Sequence, residues 1–167
     1  MSQPVTVRVT RRINAPVDKV FDAWLTPSTA ARFLFATRTG NILHCDLDPR
    51  VGGGFLVTDR RPVADGDESF FEAQHRGTYV EIERFSRIVF DFNVEPGGDN
   101  TRVTLDFVPM GVSISELVLT HELGEGADAK ANAKRTEQGW TRMLETLDKV
   151  LTTRSWGIGG VLQRPGS

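Results

Sequence analysis

The chain has one cysteine, Cys45, so it cannot close an intramolecular disulfide or supply the paired cysteines of a zinc ribbon. It has no apolar run near the roughly 20 residues that a membrane-spanning helix requires. Its first residues, Met1-Ser2-Gln3-Pro4-Val5-Thr6-Val7-Arg8, lack the apolar stretch after a basic start that marks a secretory signal, so the expected location is cytoplasmic. Neither sign of charge is in surplus: 20 Lys and Arg stand against 22 Asp and Glu, for a net charge of −2 and a pI near 5.9. A dedicated nucleic-acid binder would carry a basic face, so that class is set aside. There is no internal repeat and no low-complexity tract, and collagen-like or fibrous architectures are out.

What is present suits one globular domain. The chain has 167 residues, 39% hydrophobic and 25% charged. A domain of this mass buries roughly 69% of the surface of its extended chain, enough to hold together without a disulfide or metal staple. Val5–Ile13 alternates apolar and polar residues, as a half-buried strand does. Asn14-Ala15-Pro16 stops it, and Pro16 suits a helix start because its missing N–H would be unpaired there. Val17, Val20, Phe21 and Trp24 then mark one face of a helix of about three turns. Thr26-Pro27 repeats the start signal, and Ala30, Ala31, Phe33 and Leu34 predict a second short helix.

From Thr39 to Leu123 the pattern is strand-like. Runs are expected at Asn41–Leu47, Phe55–Thr58, Ser69–Glu83, Ser86–Val94, Arg102–Val108 and Val112–His121, with turns at Asp65-Gly66-Asp67, Pro96–Asn100 and Pro109-Met110-Gly111. Gly77 reads as a bulge or a point of close approach. Gaps of turn length make the strands antiparallel, because parallel neighbours need crossovers of a dozen residues or more. Trp140, Met143, Leu144, Leu147, Val150 and Leu151 form one stripe of a helix over about Ala129–Thr153, roughly 37 Å long. Residues 1–153 therefore read as the domain, and 154–167 as an irregular tail. The fold class is α+β: an antiparallel sheet of about seven strands around a long C-terminal helix, with two short helices after the first strand. The long helix is expected to cover the apolar face of the sheet and the short ones to plug one end.

A family resemblance rests on particular residues. Arg12-Ile13-Asn14-Ala15-Pro16-Val17-Asp18-Lys19-Val20-Phe21-Asp22-Ala23-Trp24 resembles the opening of the helix-grip (START-like, SRPBCC) superfamily. More narrowly, it is similar to the branch named after the C-terminal domain of the activator of Hsp90 ATPase. Val51-Gly52-Gly53-Gly54-Phe55, Gly77–Ile82 with Arg87–Phe92, Ser115–His121, and Gly139-Trp140 with Leu144 and Leu147 extend the likeness from about Val5 to Leu151. Members commonly carry a tryptophan in the second short helix, where this chain has Phe33 or Phe35. Eukaryotic members that stimulate Hsp90 carry a separate N-terminal domain, for which this chain has no room, so Hsp90 is not an expected partner. The family motifs specify a fold and no reaction.

The chemical motifs are weak when weighed one by one. Gly52-Gly53-Gly54 precedes a strand and no Lys comes after it, so it is a bend and not a phosphate loop. His121-Glu122-Leu123-Gly124-Glu125 lacks the second histidine of a zinc protease. His44, His75 and His121 are scattered, and a metal centre is not expected. Asp46, Asp48, Asp65, Asp67 and Glu68 read as solvated turn residues. His44 and Cys45 are strand neighbours pointing to opposite faces, so they form no nucleophile–base pair, and Cys45 reads as a small packed hydrophobe. His121 shares a face with Leu117 and Leu119 and is the polar group singled out.

These observations point to a non-catalytic or weakly catalytic domain that binds a small apolar or amphipathic molecule between sheet and long helix, without cofactor. The expected lining is Phe33, Phe35, Phe55, Tyr79, Phe90, Phe92, Phe107, Leu119, His121, Trp140, Met143 and Leu144, with no catalytic or metal-binding residue named. A chaperone- or protein-interaction domain and a cyclase- or hydrolase-type enzyme are the alternatives. A homodimer is left open.

Overall fold

The computed structural model describes residues 4–36, 41–62, 70–95 and 98–158. In chain order these form β1 (Val5–Ile13), α1 (Val17–Leu25), α2 (Pro27–Ala30), β2 (Asn41–Leu47), β3 (Gly54–Pro62), β4 (Phe70–Glu83), β5 (Arg87–Glu95), β6 (Thr101–Pro109), β7 (Ser115–Gly124) and α3 (Ala127–Ile158). Among the described residues seven strands make one antiparallel sheet in the order β1-β7-β6-β5-β4-β3-β2. Strands β2 to β7 form a meander, and β1 returns to pair with β7 from Val5↔Gly124 to Ile13↔Ser115. This is the expected α+β helix-grip arrangement.

Several expected boundaries move. The last strand begins at Ser115, not Val112: residues 112–114 belong to the turn, and Val112 is 92% exposed. The second helix is a single turn, and residues 31–35 continue it as further turns that carry Phe33, Leu34 and Phe35 inward. The long helix continues through Ile158, so residues 154–158 extend it into the stretch expected to be irregular. The Asp65-Gly66-Asp67 turn, Pro96-Gly97 and residues 159–167 lie outside the described residues. No described helix is long and apolar enough to cross a membrane.

The long helix does not cover the sheet alone. Seven strands about 4.8 Å apart are about 29 Å wide, whereas a helix with its side chains is about 10–12 Å across. Helix α3 therefore lies chiefly over β1, with α1 over β6 and β7 and α2 against β2. Trp140, Leu144 and Leu147 are buried on α3; Val20, Phe21, Ala23 and Trp24 are buried on α1. Asp148, outside the apolar stripe of α3, accepts from Arg11 Nε and Nη2 of β1 at 3.2 and 3.0 Å and ties the helix to that strand.

Two glycine positions shape the β3–β4 region. Gly52 has φ +86°, which favours glycine. The bend it begins hooks onto β4: the Gly52 N–H donates to the Tyr79 carbonyl and the Tyr79 N–H to the Gly53 carbonyl, both at 2.9 Å. Gly77 is a close approach and not a bulge, since its pairing with Phe55 and Phe92 is regular and the register shift falls between Tyr79 and Glu81. A Cβ there would lie 2.4 Å from both the Asp91 carbonyl oxygen and the Phe55 ring. Gly77→Ala should therefore cost about 1–3 kcal/mol by overpacking, whereas Gly111→Ala, with nothing within 4 Å, should stay within about 0.5 kcal/mol. Urea unfolding of both variants checks this; equal stabilities would show that Phe55 yields freely.

Candidate functional site

The face of the sheet enclosed by α1, the 31–36 segment and α3 holds most of the aromatic side chains. Phe35 is central to them. Its backbone has φ +58°, in the left-handed region that costs a non-glycine residue about 1–2 kcal/mol. Its ring stacks on His75 at 4.0 Å and 10°, and lies 5.1 Å from Phe92, 5.8 Å from Trp140 and 6.4 Å from Phe55. Its N–H points to Met143 Sδ at 3.2 Å. Strain of this kind persists only where surrounding contacts outweigh it, and here those contacts come from β3, β4, β5 and α3.

His121 sits beside this cluster, its ring 5.5 Å from Phe92 and 5.9 Å from Trp140. Trp140 Nε1 donates to its Nδ1 at 2.9 Å, which leaves the ring proton on Nε2, 2.8 Å from Thr101 Oγ1. Both nitrogens are thus engaged by neutral groups. Burial pushes its pKa down to about 4, because the apolar surroundings penalise the imidazolium. His121 is neutral at pH 7 and joins α3 to β6 and β7.

The expected lining residues divide into groups. Phe35, Phe92, His121 and Trp140 form the cluster above; Phe55 links it to Phe90 and Tyr79 at 5.3 and 5.5 Å. Phe33 packs edge-on against Trp24 at 5.0 Å. Leu119 and Leu144 are fully buried, and Met143 is half-buried against the core. Phe107 departs from the group: its ring contact is Phe21, 5.2 Å away, and Phe21 in turn meets Phe85 near the β4–β5 turn. Among the described residues, aromatic rings pack closely between the sheet and the helices. A cavity of about 10 Å³ lies among Trp24, Leu25, Leu34, Phe55, Tyr79, Ile88, Phe90 and Leu105.

Trp24, Leu25, Leu34, Ile88 and Leu105 were not among the expected lining. Their apolar periodicity places them in the core, but only the tertiary packing brings the end of α1 to one cavity with Tyr79, Ile88, Phe90 and Leu105. The contact between His75 and Phe35 had no sequence signal either. Thr101 could be found only through the register, which pairs Val103 with His121 and so brings the start of β6 alongside it.

Tyr79 has its pKa raised, first by burial and then by Cys45 and Asp48, so its phenol stays protonated. Cys45 packs half-buried against the core, and burial followed by Asp46 pushes its thiol up to about 11, well away from a reactive thiolate. His75 and His121 are both buried, but Phe35 stacks on the first and Phe92 lies against the second, and His44 is exposed on β2. Among the described residues no three His, Cys, Asp or Glu side chains gather as metal ligands.

The profile of the family described as Activator of Hsp90 ATPase homolog 1-like protein matches residues 14–152. The chain belongs to this family. Solved structures share its fold at low identity. A protein from Nitrosomonas europaea is 16% identical with a TM-score of 0.74, over 90% of this chain and 96% of its own. A protein of unknown function from Staphylococcus aureus is 12% identical with a TM-score of 0.75, over 93% and 98%. The solution structure of an AHSA1-like protein from Aeromonas hydrophila is 18% identical with a TM-score of 0.68, over 92% and 96%. No curated protein matches the chain. The family explains why the motifs reported a fold and left the chemistry open.

The depressed pKa of His121 has a consequence for stability. Its unfolded value is near 6.5 and its folded value about 4, so the folded state holds the neutral ring. This contribution is fully present above pH 6.5 and is lost as the pH falls through about 4, up to about 3 kcal/mol. Urea unfolding at pH 7 and pH 4.5 should show a larger loss for the wild type than for His121→Gln, which keeps an acceptor but does not titrate. An identical pH dependence would place the proton elsewhere.

Proposed function

We propose that this domain binds a small, mostly apolar molecule between its sheet and helices, and that Phe35 occupies part of that space until the ligand displaces it. The observation that carries the reading is the conformation of Phe35: a bulky residue in a strained backbone whose side chain fills the middle of an aromatic cluster. Swinging it out forfeits about 1.5–3 kcal/mol of side-chain burial and recovers about 1–2 kcal/mol of backbone strain. The net cost is about 1 kcal/mol, which a ligand of modest apolar area can supply. The role is one of binding and not of catalysis, since both nitrogens of His121 are held by the neutral groups of Trp140 and Thr101, and among the described residues no carboxylate bonds the ring to orient it for proton transfer.

A protein-interaction role is the second reading. It is favoured by Phe85, Val108, Met110, Val112 and Ile114, which are exposed at the adjoining β4–β5 and β6–β7 turns. Where exposed apolar side chains gather into a patch, that surface marks a contact site in other proteins.

The Phe35→Gly variant separates the readings. It removes the occupying ring and relieves the strain, so its stability loss should fall about 1 kcal/mol short of that of Phe33→Ala, for which a buried Phe→Ala change costs about 3–5 kcal/mol. Nile red, a neutral apolar dye, should bind the variant about tenfold more tightly than the wild type, a difference of about 1.4 kcal/mol. Dye fluorescence and the thermal midpoint read both. If neither protein takes up the dye or gains thermal stability from it, the ligand reading fails and the interaction reading leads.

A further inference from the structure

The small cavity beside the Phe35 cluster is lined by eight residues, of which two, Trp24 and Tyr79, have side chains that carry a polar group. Trp24 is 2% exposed, and its indole N–H has no hydrogen-bond partner among the described residues. A buried donor without a partner is rare in a folded protein and calls for an explanation. Tyr79, on β4, is the other lining residue whose side chain carries a polar group. The remaining lining side chains, Leu25, Leu34, Phe55, Ile88, Phe90 and Leu105, offer no polar atom. The space is about 10 Å³, that of a single oxygen-sized atom. Leu34 adjoins Phe35 in sequence, and Phe55 touches both the cavity and Phe35, so displacing Phe35 would enlarge this space.

We infer that the ligand is a neutral, largely apolar molecule carrying one hydrogen-bond-accepting oxygen, a ketone, ester or ether, received by the indole N–H of Trp24 with the hydroxyl of Tyr79 beside it. This rests on the ligand-binding reading above and deepens it. An acceptor is required because an indole N–H can only donate. Neutrality follows from the walls: none of the eight lining residues is charged, and an ionised carboxylate in such surroundings would lack a counter-charge. Asp48 is near enough to raise the pKa of Tyr79 and would repel an anion further. The apolar body would take the place of the Phe35 ring, against Phe55 and Phe92.

Three naphthalenes of nearly equal size test this with the full chain: 2-acetylnaphthalene, 2-ethylnaphthalene and 2-naphthoate. After allowance for their partition between water and octanol, the ketone should bind about two- to tenfold more tightly than the hydrocarbon, the span of one neutral hydrogen bond. The naphthoate should bind least. In nitrogen–proton correlation spectra the assigned Trp24 indole signal should move downfield with the ketone and not with the hydrocarbon. Trp24→Phe should abolish the preference for the ketone over the hydrocarbon, and Tyr79→Phe should reduce it. The wild-type spectrum needs no variant, so the test survives a Trp24→Phe protein that fails to fold. Equal binding of ketone and hydrocarbon, an unmoved Trp24 signal, tightest binding of the naphthoate, or a water retained on Trp24 with the ketone bound would each overturn the inference while the ligand reading stands. If neither neutral naphthalene binds but Nile red does, the inference fails alone; if nothing binds, both fail.

Discussion

One helix cannot cover seven strands. The sheet is more than twice as wide as the helix laid on it, and the arrangement of the interior stems from that mismatch. Helix α3 settles over β1, held by the ion pair between Arg11 and Asp148 and by the buried stripe of Trp140, Leu144 and Leu147. The uncovered part of the sheet has to be filled by the segment between β1 and β2, a three-turn helix and a short run of turns. At the end of that run Phe35 takes φ +58° and its ring meets His75 and Phe92.

The consequence is an interior packed with rings. Phe35 stacks on His75, Phe55 meets Phe90 edge-on, and Phe92 lies against His121. Such contacts contribute about 0.5–1.5 kcal/mol each beyond the area they bury. They hold the strained segment in place beside a cavity of about 10 Å³. His121 plays a structural part within this assembly: it accepts from Trp140 on the helix and bonds Thr101 on β6, and it does so only while neutral. Its place facing the helix was legible in the alternation of Leu117, Leu119 and His121, and its two partners were not.

Glycine works in the same direction at strands β3 and β4. The bend at Gly52-Gly53 binds the backbone of Tyr79, and the missing side chain of Gly77 leaves room for the Phe55 ring. Both place aromatic groups against the cavity that Trp24 borders. A helix-grip frame shared at 12–18% identity with bacterial proteins of similar shape thus acquires its own interior from a few side chains, and those side chains decide what could enter it.

Element order, the antiparallel meander, the long amphipathic helix and the family were all legible in the amino-acid sequence, because hydrophobic period and turn chemistry are local properties written in consecutive residues. So were the buried side chains, including nearly all of the expected lining. How those side chains share the space is a matter of tertiary structure: Phe107 packs with Phe21 away from Trp140, Trp24 reaches the cavity, Phe35 fills the middle, and Asp148 pairs with Arg11. Contacts between residues distant in the chain depend on how wide, curved and unevenly covered the sheet becomes, a property of seven strands together that no window of neighbouring residues contains.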